Sequence, residues 1–198
     1  MTVGFWFEFG STYSYPAAMR IQALAAERDI GVVWRAFLLG PIFREQGWPD
    51  SPFNLLPTKG RYMWRDLERI CSAQGISLRR PSEFPRNGLI AARVACRFAN
   101  APWLPAFVQS VYRANFAEDQ DISALDTLRH CLAKSGEDPD ELLSAAQSDE
   151  SKAALRRQTE EAAELGLFGA PSFVVDGELF WGNDRLEDAL AWAERSVT

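Results

Sequence analysis

The sequence of 198 residues has few of the side chains that hold metals or form disulfides. Its three cysteines, Cys71, Cys96 and Cys131, lie far apart and form no CxxC pair, and His130 is its only histidine. Because structural zinc needs about four Cys or His ligands and a disulfide framework needs paired cysteines, we expect neither in this protein. His130 lies in a charged helical stretch that no carboxylate motif frames, so we interpret it as a surface or half-buried residue.

Basic runs and long apolar stretches are also missing. Lys and Arg total 21 against 27 Asp and Glu, a formal charge of −6 at pH 7, which argues against nucleic acid or an anionic membrane as a partner. No apolar stretch approaches the roughly 18 residues that a membrane span needs. The N-terminal segment MTVGFWFEFG has no basic start and no long apolar region. We therefore expect no signal peptide and a cytoplasmic location.

The start of the chain predicts a strand, a helix and a second strand. Residues 3–9, VGFWFEF, are β-branched and aromatic, which is typical of a buried strand. Apolar residues at helical spacing then follow from Ser14, the expected N-cap, to about Arg28. Val32–Leu38 is a second apolar run, so the segment predicts a βαβ unit with parallel strands.

The middle of the chain predicts a block of helices. Residues 40–57 carry four prolines and favour a loop. Helical periodicity then continues, with breaks at glycines and prolines. The expected helices are Lys59–Ser72, Asn87–Ala99, Trp103–Phe116, Ile122–Ser135, Pro139–Ser148 and Ser151–Leu165.

The end of the chain returns to strands. Ser172–Val175 and Glu178–Trp181 are short apolar runs joined by Asp-Gly, a strong hairpin signal, and a helix is expected over Leu186–Ala193. The order is therefore βαβ, helices, ββα. We predict an α/β fold in which one domain (residues 1–40 and 166–198) is interrupted by an all-helical insertion (residues 41–165).

Three short segments carry candidate chemistry. Ser11 and Ser14 follow the first strand in an SxxS spacing, either as ordinary turn and cap residues or as hydroxyl donors to a thiolate of a ligand. Pro171 precedes a short strand, where its peptide bond is either trans or, more rarely, cis. Asn183 and Asp184 precede the last helix, where they either cap it or help to hold a carboxylate and an ammonium group.

Taken together, the chain resembles the superfamily of DsbA and the kappa-class glutathione transferases, which has a thioredoxin-like fold. Within it, the chain is most similar to the 2-hydroxychromene-2-carboxylate isomerases. The matching segments are FEFGSTYSYPAA, PIFREQG, FPRNGLIAAR, LGLFGAPSFVVDG and FWGNDRLE. They occur in the family's order over nearly the whole chain, and a serine in place of the first redox cysteine is typical of the glutathione-using branch.

The resemblance implies glutathione as cofactor and assigns site residues. Ser11 would contact the glutathione sulfur. Further glutathione-binding residues would be Ala170, Pro171, which would be cis, Trp181, Gly182, Asn183, Asp184 and Arg185. Substrate-binding residues would be Arg44, Asn54 and Lys59. The chain departs from the family at Thr12, where a proline is common, and at Arg44, where a lysine is usual.

The implied activity is a glutathione-dependent cis–trans isomerisation of an aromatic keto acid, in which the glutathione thiolate is a transient nucleophile. The substrate would be a small aromatic carboxylate, and a homodimer is the expectation for the family. Two alternatives share the fold: a kappa-like glutathione transferase or peroxidase, and a non-catalytic thioredoxin-fold binding module. A thiol–disulfide oxidoreductase is strongly disfavoured, because Ser11 and Ser14 cannot cycle between thiol and disulfide.

Overall fold

The structure, a computed structural model, describes residues 1–195. The strands are β1 (Thr2–Phe7), β2 (Gly31–Ala36), β3 (Ser172–Val175) and β4 (Glu178–Trp181). The helices are α1 (Ser14–Ala26), α2 (Leu39–Glu45), α3 (Pro52–Leu55), α4 (Pro57–Ala73), α5 (Leu89–Arg97), α6 (Leu104–Phe116), α7 (Leu125–Leu132), α8 (Pro139–Ala146), α9 (Asp149–Glu164) and α10 (Leu186–Arg195). A single 3₁₀ turn over Asn183–Arg185 leads into α10.

The four strands of these residues form one sheet in the order β2-β1-β3-β4. β1 pairs with β2 in parallel, as the βαβ pattern predicts, and with β3 in antiparallel. The β3–β4 hairpin turns at Asp176 and Gly177, both of which have positive φ. This is the predicted thioredoxin-like arrangement, in which strands from both ends of the chain meet in one sheet.

Alternate side chains of β1 point to opposite faces of the sheet. Phe5 and Phe7 are fully buried on one face, and Phe5 stacks on Phe173 of β3 with 5.5 Å between ring centroids. The same apolar cluster includes Tyr112 of α6. Trp6 belongs to a second cluster on the other face, with residues of α2 and α9. The helical block therefore packs on the sheet directly and shares its core.

Two local predictions are wrong. Residues 40–57 are not a plain loop, because they contain most of α2 and all of α3. Proline is tolerated in the first turn of a helix, where its missing N–H is not needed, and Ser51 Oγ accepts the Phe53 N–H to begin α3. Ser14 is not an N-cap. It is the first residue of α1, and its N–H donates to Ser11 Oγ at 3.3 Å.

The other predicted helix and strand boundaries agree with the observed ones to within a few residues. Differences of this size are expected, because helix ends fray and depend on local caps. The predicted division into residues 1–40 plus 166–198 and 41–165 stays a prediction, and its last three residues lie outside the described part of the chain. His130 is exposed on α7. Among the described residues, no helix is both long and apolar enough to cross a bilayer.

Candidate active site

A cavity of about 1100 Å³ opens where the end of β1, the start of α1, the segment α2–α4 and the loops around β3 and β4 meet. Several predicted site residues line it: Ser11, Lys59, Ala170, Trp181, Gly182, Asn183, Asp184 and Arg185. The fold thus brings together segments that are more than 150 residues apart in sequence. Pro171, Arg44 and Asn54 are not part of the lining.

Ser11 joins the two ends of the chain in this cavity. Its hydroxyl donates to the carbonyl oxygen of Ala170 at 2.8 Å and accepts the Ser14 N–H at the start of α1. The Ala170–Pro171 bond is cis, as the resemblance implies, and the Pro171 carbonyl accepts the Gly182 N–H at 2.9 Å. A hydroxyl can rotate, so Ser11 can turn from the carbonyl to another acceptor without a change of backbone.

Trp181 forms an exposed wall of the cavity, with 51% of its surface accessible. Its ring packs edge-on against Phe168, with 4.7 Å between centroids. A Cβ on Gly169 would lie 2.3 Å from Trp181 Nε1, so only glycine allows the indole to approach this loop. Glycine is also needed at position 182, where φ is +114°.

The 3₁₀ turn after β4 is the polar end of the cavity. Asn183 is buried, and its Oδ1 accepts a hydrogen bond from Arg20 of α1 at 3.2 Å. Asp184 is exposed and lies 3.5 Å from Arg185, which also pairs with Asp188 at 2.8 Å. The turn therefore presents an amide, a carboxylate and a guanidinium next to the Ala170 loop.

Aromatic side chains form another wall. Phe43, Trp48 and Phe53 come from the α2–α3 segment, and Tyr62 and Phe84 come from α4 and the segment after it. This wall suits a flat apolar ligand.

The three residues predicted to bind substrate lie on or near this segment. Lys59 lines the cavity with its Nζ 5.7 Å from the centre of the Phe53 ring. Arg44 is exposed on α2, away from the lining, and the exposed Asn54 donates its amide to Asp50. The substrate contacts of Arg44 and Asn54 stay predictions.

Sequence reasoning missed several polar residues of the cavity. Glu8, at the end of β1, accepts the Gly10 N–H through Oε2 at 2.9 Å. Burial raises the pKa of Glu8 to about 7, against the lowering effect of the Gly10 and Ser11 N–H groups. The only signal in the sequence is an acid that interrupts an apolar strand three residues before Ser11.

A tyrosine–aspartate pair was missed as well. Tyr13 donates its hydroxyl to Asp66 Oδ2 at 3.0 Å, and both residues line the cavity. Burial raises the pKa of Tyr13, and the hydrogen bond to Asp66 raises it further. Tyr13 is thus a neutral group at neutral pH.

Arg86 is a third missed residue. It is only 7% exposed and donates to Asn115, Ser82 and Asp119. Its guanidinium therefore holds the segment before α5 against the end of α6. The Phe84–Pro85 bond in the same segment is cis, which no local pattern distinguishes from the other prolines.

The fold and the site define a protein of the thioredoxin-like class in which a serine stands at the start of α1. Residues 2–191 match the family model of the DSBA-like thioredoxin domain, and the chain belongs to that family. The sequence resemblance stated above is thereby confirmed at the level of family and fold.

The proteins similar to this chain include 2-hydroxychromene-2-carboxylate isomerases and kappa-class glutathione transferases. The chain is 29% identical to 2-hydroxychromene-2-carboxylate isomerase of Sphingobium xenophagum over 187 residues, 94% of each chain. It is 26% identical to human glutathione S-transferase kappa 1 over 200 residues, 94% of this chain and 88% of the relative. A solved structure of 2-hydroxychromene-2-carboxylate isomerase superposes with a TM-score of 0.89 and 26% identity, covering 100% of this chain and 96% of that one. These matches support an enzyme of the isomerase type.

Proposed function

We propose that the protein is a glutathione-dependent isomerase of 2-hydroxychromene-2-carboxylate-type keto acids. The observation that carries the proposal is the position of Ser11, whose hydroxyl meets the cis-proline loop at 2.8 Å inside a cavity of about 1100 Å³. Cavities that hold drug-sized ligands are about 300–1000 Å³, so there is room for glutathione and an aromatic substrate together.

The cavity has matching groups for both molecules. The Ala170 backbone would pair with the cysteinyl part of glutathione, and the Asn183–Arg185 turn would hold its γ-glutamyl end by charge-assisted hydrogen bonds. The aromatic wall would then take the substrate ring, and Lys59, a cation of the lining beside that wall, would pair with the substrate carboxylate.

The chemistry follows from a thiolate at the start of α1. The Ser11 hydroxyl would turn to donate to the sulfur, and the N-terminus of α1 favours the anion. Bound glutathione would supply the thiolate as a transient nucleophile toward a conjugated carbon of the ring-opened keto acid, so that the double bond could rotate and glutathione would be recovered unchanged.

A kappa-like glutathione transferase is the second candidate, and the similarity to human glutathione S-transferase kappa 1 favours it. It would use the same thiolate and the same Ser11, but the sulfur would stay on the product. A non-catalytic binding module is the third, and it would show no turnover. We retain the predicted homodimer and cytoplasmic location as parts of the proposal.

The deciding experiment follows the ultraviolet spectrum of a 2-hydroxychromene-2-carboxylate with purified protein, with and without substoichiometric glutathione. If the protein is an isomerase, we expect the chromene substrate to equilibrate with the open-chain benzylidenepyruvate and all of the free thiol to be recovered. Loss of one thiol per product would support the transferase, and turnover without glutathione would contradict both.

A further inference from the structure

Glu8 places an ionisable carboxyl directly after the buried strand β1, at the edge of the cavity. The three residues of β1 directly before it, residues 5–7, are aromatic. Glu8 follows on the Trp6 side of the strand, where the sheet ends and the cavity begins. The side chain is half-buried, and its Oε2 accepts the N–H of Gly10, the residue next to Ser11. A Cβ on Gly10 would lie 3.1 Å from that oxygen, so the carboxyl lies directly over this turn.

A purely structural role does not account for the carboxyl. The amide oxygen of a glutamine accepts the same N–H hydrogen bond without placing an ionisable group in a half-buried site. The burial that raises the pKa of Glu8 to about 7 also makes it a group that exchanges protons at neutral pH.

The groups packed around Glu8 leave the carboxyl free to take up a proton. On α6, Tyr112 donates its hydroxyl to the backbone carbonyl of Glu8 at 2.9 Å, and not to the carboxyl. In the segment before α5, Arg86 is bound to Asn115, Ser82 and Asp119. The other charged side chains of the cavity lining are Asp50, Lys59, Asp66, Asp184 and Arg185.

We propose that Glu8 is a catalytic proton acceptor, which takes the thiol proton of bound glutathione. This inference rests on the proposed function. The S–H bond breaks with its electron pair left on sulfur, and a new O–H bond forms on the Glu8 carboxylate. The negative charge moves from Glu8 to the sulfur, so the cavity never holds two neighbouring anions, which would raise each other's pKa. The proton returns to the sulfur when glutathione leaves.

If Glu8 takes the thiol proton, fewer protons are released to the buffer on glutathione binding than in a variant without the carboxyl. A purely structural role for Glu8 predicts the same release in both. A free thiol with a pKa of about 8.5 is mostly protonated at pH 7.5, so forming the thiolate of glutathione without an internal acceptor releases about 0.9 proton to the buffer. With Glu8 as acceptor, the proton stays in the complex and the release is close to zero.

The test is calorimetric titration of glutathione into the full chain in buffers of different ionisation enthalpy. We expect near-zero release for the wild type, about 0.9 proton for Glu8→Gln, and partial retention for Glu8→Asp, which keeps a carboxyl. Glu160→Gln, an exposed change on α9, should match the wild type. We also expect Glu8→Gln to slow turnover about a hundredfold while glutathione affinity stays within about threefold.

The outcomes are distinguishable. If Glu8→Gln and the wild type bind glutathione and release the same number of protons, Glu8 is not the acceptor, although glutathione still binds. If the wild type gives no binding heat in any buffer and no thermal stabilisation by glutathione, the proposed function fails and this inference fails with it. The near-ultraviolet circular dichroism spectrum of Glu8→Gln should match that of the wild type. Such a match shows that the proton release measured for this variant comes from folded protein.

Discussion

At the scale of single residues, the Ser11 hydroxyl combines a structural and a proposed chemical role. It accepts the Ser14 N–H at the start of α1 and donates to Ala170 across the cavity. The local pattern, a small polar residue between a buried strand and a helix, left Ser11 as either a turn residue or a donor to a thiolate, and the family resemblance favoured the donor. The partner across the cavity comes from the cis-proline loop and becomes visible in the folded chain.

Ser11→Ala should raise the pKa of the bound glutathione thiol. One charge-assisted hydrogen bond contributes about 1.5–3 kcal/mol, which corresponds to about one to two pKa units. Turnover should fall about ten- to a hundredfold, while glutathione affinity changes little because the Asn183–Arg185 turn still holds the tripeptide. The measurement is the ultraviolet absorbance of the thiolate against pH, with the remote Ser135→Ala as control. Identical midpoints for Ser11→Ala and the wild type would show that Ser11 is only a turn residue.

Glu8 should make stability depend on pH. Its pKa is about 7 in the folded protein against an ordinary 4.5, so the unfolded chain loses this proton first as the pH rises. The free energy of unfolding therefore falls progressively as the pH rises from about 4.5 to 7. Above pH 7 the total loss is about 3 kcal/mol. Glu8→Gln should gain stability relative to the wild type across this window. Urea unfolding from pH 4 to 8 measures it, and parallel curves would contradict the raised pKa.

At the scale of elements, the close approach of the Gly169 loop to β4 shapes the glutathione-binding end of the cavity. Gly169→Ala would place a Cβ 2.3 Å from Trp181 Nε1, so the indole must move. We expect KM for glutathione to rise several-fold with little change in melting temperature, because Trp181 is half exposed. In a Trp181→Ala background the same change should have almost no effect. Equal effects in both backgrounds would mean that the two residues do not interact.

The link between the end of α6 and the segment before α5 is an ion pair. Asp119 and Arg86 have side chains only 14% and 5% exposed, and the hydrogen bonds of Ser82 and Arg86 hold the pKa of Asp119 at about 2. Asp119→Asn should lower the midpoint of urea unfolding clearly, since it leaves the buried Arg86 guanidinium without its carboxylate partner.

The matched control is Asp126→Asn, which removes an exposed pair with Arg129 inside α7. Exposed pairs contribute about 0.2–1 kcal/mol, so this variant should unfold almost like the wild type. Similar losses of stability in the two variants would show that the Arg86–Asp119 pair is no more important than a surface contact.

At the scale of the whole molecule, the cavity joins both ends of the chain to the helical block, so a ligand in it should stabilise the entire fold. At 100 times its dissociation constant, a ligand specific for the native state adds about 2.7 kcal/mol. For about 200 residues this raises the melting temperature by roughly 5–11 °C. We expect that shift with glutathione and a smaller one with S-methylglutathione. An unchanged melting temperature at every glutathione concentration would contradict the proposed cofactor.

The sequence by itself determined the order of strands and helices at the two ends of the chain, because apolar periodicity and an Asp-Gly turn depend on neighbours within a few residues. The family resemblance, and not a local signal, pointed to Ser11, the cis-proline loop and the turn after β4. Residues 40–57 were misjudged because proline breaks a helix only in its interior, and three of the four prolines, Pro41, Pro52 and Pro57, lie in first turns.

Only the tertiary structure decided which polar side chains share the cavity. Lys59 faces it while Arg44 and Asn54 do not, because the packing of two short helices sets their orientation. The pKa of Glu8 rises to about 7 only when folding buries its carboxyl at the end of β1. Desolvation depends on contacts between distant parts of the chain, and no pattern within one segment specifies it.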